Sequence, residues 1–151
     1  MKVNRIALKK YCDTSGEGAK LYGGRWNLPG IPALYGSSSV SASLLERFTI
    51  DTELFSAERY IFYAVMEFDI PDKWLHIPGE HELPLEWDAI PPTVRSQQYG
   101  TKLLKSGMLC FGVPSVVDQS SLNFVINPLS KKFDAINYKT YPLHLDQRVV
   151  R

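Results

Sequence analysis

The stretch YIFYAVMEFDI, Tyr60 to Ile70, most restricts how this chain can fold. Phe62, Ala64, Met66, Phe68 and Ile70 recur at every second position, with Glu67 and Asp69 between them. That period predicts a strand with one face on a core and Glu67 and Asp69 pointing the other way. Further strands are predicted over Arg5–Tyr11, Pro32–Ser39, Met108–Ser115, Leu122–Pro128 and Phe133–Asp146. Helices are few. Val40, Leu44, Leu45 and Phe48 fall at helical spacing behind a serine, a favoured N-cap, and predict a helix over Val40–Phe48. Thr93–Gly107 reads as a helix interrupted near Gly100 and ended by Gly107. Asp13–Gly24 is rich in Gly, Ser and Thr and reads as a loop, while Ile77–Pro92, with prolines at 78, 84, 91 and 92, reads as an irregular connection. Strands and helices do not alternate regularly, which points to an α+β fold and away from a doubly wound sheet.

The 151 residues suit one domain, residues 1–151, large enough to bury a core without disulfides or metals. A formal net charge of +1 gives no broad basic field, so this chain is not expected to bind nucleic acid directly. Cys12 and Cys110 are the only cysteines, too few for a disulfide framework or a four-cysteine zinc site. No apolar run approaches the ~18 residues of a membrane span, and MKVNRIALKKYCD has no long apolar centre of a signal peptide. A soluble protein of the reducing cytoplasm, with no membrane contact, is expected. His76 and His81 lie near Glu80, Glu82, Glu86 and Asp88, but the proline-broken segment lacks the fixed spacing of a zinc motif. It reads as a solvated acidic loop, and no metal is expected. No Ser, His and acid stand at the spacing of a hydrolase triad.

The chemistry concentrates in GGRWNLPGIPALYGSSS, Gly23 to Ser39. Its glycines match neither a phosphate loop nor a dinucleotide fingerprint. Gly23 and Gly24 let the backbone approach closely, Trp26 offers a flat wall, and Arg25 between them has a planar fork for a phosphate or carboxylate. Tyr35 offers a ring for stacking and a hydroxyl. Ser37, Ser38 and Ser39 lead into a helix whose first amides favour anions. Glu46 follows on that helix. Each residue has an ordinary structural reading as well: Arg25 in a surface ion pair, Glu46 in a capping box formed by SLLE, Ser43 to Glu46. Together they make one candidate site for an anionic substrate carrying a stackable ring.

The run GGRWNLPGIPALYGSSSVSASLLERF resembles the opening motif of the RES domain family, named for an Arg, a Glu and a Ser. Here these are Arg25 in GGRWN, Glu46 in SLLER and Ser115 in GVPS, and the likeness continues through LNFVINP and YPLHLDQR. The resemblance implies a fold similar to ADP-ribosyltransferases of the diphtheria-toxin kind. It implies a toxin paired with an Xre-type helix-turn-helix antitoxin, a homodimer within that complex, and NAD as substrate. It implies Arg25, Tyr35 and Glu46 as the central residues, with Gly24, Trp26, Asn27, Ser37, Ser115 and Asn123 contacting the substrate. Histidines that many relatives carry after the Asn-Pro step and after the motif Glu are absent: Leu129, Ser130 and Lys131 follow Pro128, and Arg47, Phe48, Thr49 and Ile50 follow Glu46. Cleavage of the nicotinamide–ribose bond, by water or phosphate, is the expected reaction, with ADP-ribosyl transfer to a protein as the alternative.

Overall fold

The computed structural model describes all residues 1–151. Its frame is a seven-stranded sheet of β1 (Lys2–Leu8), β2 (Leu34–Ser37), β3 (Tyr63–Asp69), β4 (Leu75–His76), β5 (Cys110–Pro114), β6 (Leu122–Ile126) and β7 (Asn137–Pro142), in the order β4-β5-β6-β2-β1-β3-β7. Every neighbouring pair is antiparallel except β4 with β5, which makes the sheet mixed. Four α-helices accompany it: α1 (Glu17–Tyr22), α2 (Val40–Phe48), α3 (Ala57–Tyr60) and α4 (Val94–Lys105). The α+β expectation is met.

Both faces of the sheet carry core. Val3, Leu34, Met66, Phe68, Phe124 and Ile126 form one apolar layer. On the opposite face, Ile6, Leu44, Leu54, Tyr63 and Val65 pack beneath α2. Trp26, Leu104, Phe111, Val113 and Val125 pack beneath α4. Strand β3 is therefore buried on both sides, with Tyr63 and Val65 enclosed as fully as Met66 and Phe68, and only Asp69 at its end exposed. The one-sided strand expected over Tyr60–Ile70 starts three residues later, because Tyr60 closes α3.

Other boundaries also move. The first strand ends at Leu8, and Lys9–Tyr11 turn into a 3-10 helix. The last is shortened to Asn137–Pro142 by a 3-10 turn at Phe133–Ala135. The Asp13–Gly24 segment, read as a loop, contains α1; its N-cap, Gly16, takes the left-handed conformation at φ 66° that glycine adopts freely. Helix α2 has the expected bounds, and the hydroxyl of Ser39 accepts the Ala42 N–H at 3.1 Å as its N-cap. Ser43 is no part of a capping box. It is buried and donates to the Asn4 carbonyl at 2.5 Å, tying α2 to β1.

Helix α4 runs unbroken through Gly100, contrary to the interruption expected there. This glycine serves a close approach: a Cβ would lie 1.9 Å from the Trp26 carbonyl oxygen. Gln97, Gly100 and Thr101, spaced on one helix face, all meet the loop that carries Arg25. Gln97 Nε2 donates to the Gly24 carbonyl at 3.1 Å, and Thr101 Oγ1 accepts the Leu28 N–H at 2.9 Å. Alanine would gain about 1 kcal/mol of helix propensity over glycine, but overpacking against rigid backbone costs about 1–3 kcal/mol or more. Gly100→Ala is expected to lower the urea midpoint of unfolding at unchanged slope; a raised midpoint would show that propensity outweighs the contact.

Candidate active site

Strand pairing assembles the site. Tyr35 lies opposite Val125 and Ser37 opposite Asn123, so alternation places all four side chains on the sheet face shared with α2 and α4. Beside α2 lies a cleft of about 290 Å³. Arg25 and Trp26 line one side of it, Glu46 and Thr49 of α2 another, with Pro114, Val117 and Asn123 on the sheet side and Ile90 contributed by the proline-rich segment.

Glu46 is held from behind. Its Oε1 accepts the Ser115 hydroxyl at 2.5 Å and the Asn123 amide at 2.6 Å. Asn123 Oδ1 accepts from the Ser37 hydroxyl at 2.9 Å, which fixes the amide with its Nδ2 toward the carboxylate. Ser115 Oγ also accepts the backbone N–H groups of Val117 and Asp118, at 3.1 and 3.0 Å, so its own proton is directed to Glu46. The second carboxylate oxygen, Oε2, receives no protein hydrogen bond. One oxygen is anchored and the other remains available to a ligand.

Arg25 is half-buried in the loop between α1 and β2. One terminal nitrogen, Nη1, donates to the carbonyls of Trp87 and Ala89 at 2.9 and 2.7 Å. Its Nε and Nη2 make no protein hydrogen bond. Burial draws the guanidinium below its usual range, while Glu46 and Asp88 act to restore it, and an arginine stays charged at neutral pH regardless. No salt bridge joins Arg25 to Glu46. Cation and carboxylate therefore face the same space without neutralising each other, an arrangement suited to a ligand with an anionic group and a centre of positive charge.

Several residues expected to touch substrate have partners within the protein. Asn27 is fully buried, and its Nδ2 donates to the carbonyls of Ala19, Leu28 and Ile31. Tyr35 packs its ring against the apolar cluster under α4 and is not among the cleft-lining side chains. Its hydroxyl donates to Asn27 Oδ1 at 2.6 Å and accepts the Trp26 N–H at 3.0 Å. In this structure the partly buried ring is thus engaged by the protein and does not line the cleft. Gly24 gives that hydroxyl its room, since a Cβ there would lie 2.7 Å from it. Trp26 borders the cleft, but its ring stacks on Trp87 and meets the edge of Tyr99 in the core. Gly24, Asn27 and Tyr35 shape the loop that carries Arg25, while Ser115 and Asn123 hold Glu46 and Ser37 holds Asn123. Reasoning from sequence missed Thr49, Ile90, Val117 and the Trp87 and Ala89 carbonyls, which carry no motif. The Gln97, Gly100 and Thr101 face was detectable as small and polar residues at helical spacing. His76 and His81 are exposed and lie outside the cleft.

A mixed seven-stranded sheet with two covering helices, and a cleft bearing a carboxylate on a hydrogen-bonded cradle together with an arginine, defines an α+β domain with a candidate anion-facing site. The sequence matches the RES domain over residues 2–146, and the chain belongs to that family. It is 33% identical over 156 residues to a protein named Toxin Res from Photorhabdus laumondii, covering 100% of this chain and 98% of that one. It is also 33% identical over 121 residues to a Prs ADP-ribosylating toxin from Sphingobium, covering 77% and 73% of the two chains. Among solved structures, a chain of the Mycobacterium tuberculosis MbcT–MbcA toxin–antitoxin complex shares the fold, with a TM-score of 0.73 at 19% identity over 94% of this chain and 83% of that one. No helix is long and apolar enough to cross a membrane.

Removing the Tyr35 hydroxyl leaves the buried Asn27 oxygen and the Trp26 N–H without this partner. Tyr35→Phe is expected to cost about 1–3 kcal/mol of unfolding free energy, measured by urea titration; an unchanged value would show that the loop holds without it. Burial also pushes the Tyr35 hydroxyl well above the ordinary tyrosine range, opposed in part by the Trp26 N–H and Arg25. The folded protein thus keeps this proton to higher pH than the unfolded chain. Its stabilising contribution is complete below about pH 10 and is lost as pH rises from there toward the raised value. Buried Cys110, pushed up to about 12, adds in the same direction. Unfolding free energy is expected to fall above pH 10, less steeply in Tyr35→Phe; equal slopes would remove Tyr35 from the alkaline limb.

Proposed function

We propose that this protein is a toxin that consumes NAD by breaking its nicotinamide–ribose bond. The observation that carries the reading is the Glu46 carboxylate, anchored through one oxygen by Ser115 and Asn123 and free at the other. Membership of the RES domain family and likeness to proteins named as toxins support it.

Breaking the bond sends its electron pair to the nicotinamide nitrogen and leaves positive charge on the ribose. The free Glu46 oxygen stabilises that charge or holds the ribose hydroxyls. Nicotinamide leaves as a neutral molecule from a cationic ring, so no acid is needed to protonate it. One carboxylate then suffices where ordinary glycosidases use two. The free edge of Arg25 suits the pyrophosphate. Ser115, Asn123 and Ser37 act through Glu46, and Asn27, Tyr35 and Gly24 act through Arg25.

The acceptor is water or phosphate in this reading. Transfer of ADP-ribose to a protein is a second reading, favoured by the likeness to the Prs ADP-ribosylating toxin. Either activity in the cytoplasm calls for restraint, and we infer an Xre-type antitoxin as the partner and a homodimer within that complex. Purified protein incubated with NAD, with and without phosphate, and analysed by mass tests the reaction. Release of free nicotinamide is expected, with ADP-ribose or its phosphorylated form beside it; intact NAD would overturn the reading. Arg25→Ala and Glu46→Ala are each expected to lower turnover at least ~100-fold while unfolding free energy drops by no more than about 2 kcal/mol. Full turnover by both variants would displace the chemistry from this cleft.

A further inference from the structure

We propose that Ile90 and Val117 form an apolar jaw that grips the nicotinamide ring of the substrate. The inference rests on the reading of NAD as substrate and assigns the ring contact that Tyr35 does not make. Tyr35 is committed to Asn27 and Trp26, and the Trp26 side chain is enclosed by Trp87 and Tyr99. Trp26 borders the cleft but is only 2% exposed, so the apolar surface the cleft offers a ring comes chiefly from aliphatic side chains.

Two of those side chains stand out. Ile90 is 82% exposed and Val117 41% exposed, yet both line the cleft. Large apolar groups facing water gain from being covered, and both are β-branched, so few rotamers are lost when a ring settles on them. Each is also registered to a functional group. Ile90 directly follows Ala89, whose carbonyl accepts from Arg25. Val117 donates its N–H to Ser115 Oγ, the hydroxyl that donates to Glu46. The jaw thus spans from the cation to the carboxylate, where a ring joined to the reacting ribose has to sit.

Volume points the same way. About 290 Å³ lies at the lower end for a small-molecule site. It suits the reacting half of a dinucleotide, with the adenosine half outside. Chemistry adds a preference: the ring is cationic in the substrate and neutral once the bond electrons return to its nitrogen. Apolar walls favour that loss of charge more than water does, so the contact strengthens toward the transition state.

The test is calorimetric titration of the wild type, Ile90→Ala and Val117→Ala with nicotinamide mononucleotide, which carries the ring, and with ADP-ribose, which does not. Each variant is expected to bind nicotinamide mononucleotide about fivefold or more weakly and ADP-ribose within about twofold of wild type, and Ile90→Leu is expected to restore binding. Equal affinity of all three proteins for nicotinamide mononucleotide, equal loss for both ligands, or no binding of it by the wild type would overturn the jaw. Because binding is read without turnover, a jaw-dependent affinity in a protein that leaves NAD intact would refute the proposed reaction and retain the jaw.

Discussion

The buried carboxamide of Asn27 is the interaction on which the arginine side of the site depends. It gathers the carbonyls of Ala19, Leu28 and Ile31 and receives the Tyr35 hydroxyl. These groups span the end of α1, the glycine-rich turn and β2, so one side chain sets the path of the whole loop. A buried amide with this many partners has no substitute: an isosteric acid would face three carbonyls as an acceptor, and an apolar residue would leave them unpaired. The loop's glycines make sense against this centre, since Gly24 lies where a side chain would strike Tyr35 and Gly100 lets α4 rest on the Trp26 carbonyl.

The two halves of the cleft are built differently. Glu46 is fixed by regular structure, on a capped helix over β1 and β2, with donors from β6 and from the residue that follows β5. Arg25 is fixed by irregular structure, a loop on one side and the carbonyls of Trp87 and Ala89 on the other. Those carbonyls belong to the proline-rich segment, and Trp87 is itself stacked on Trp26. The segment is thereby coupled to the guanidinium at two points, through polar backbone and through an aromatic contact. A ligand that draws on Arg25 acts on that segment too.

The sequence displayed the groups that bear charge better than the groups that hold them. Arg25, Glu46, Ser115 and Asn123 stand in short recognisable runs, and the structure brings Arg25, Glu46 and Asn123 to one cleft with Ser115 buried behind Glu46. The Tyr35 ring looked available because nothing local shows that its hydroxyl meets Asn27, which lies on the far side of a turn. Helix α1 was hidden because glycine at 16 and 18 is the composition of a loop. The break expected in α4 failed for a related reason: glycine marks either flexibility or a close approach, and only the Trp26 backbone across the gap decides which. Strand β3 read as one-sided from Glu67 and Asp69, yet Tyr63 and Val65 fill the face under α2. The role of Ile90 followed from no motif, since an exposed isoleucine beside two prolines has the look of an ordinary loop residue.

The Glu46 cradle joins residues far apart along the chain, separated by 69 positions to Ser115 and 77 to Asn123. Such contacts form late, because long loops must close before they bring any reward. During synthesis the carboxylate and the arginine leave the ribosome well before β6, and until that strand pairs with β2 the carboxylate has neither donor to orient it. A partly made chain therefore carries Arg25 and Glu46 without the cradle that orients the carboxylate. An interval set by topology alone thus separates the emergence of these two residues from the assembly of the cleft around them.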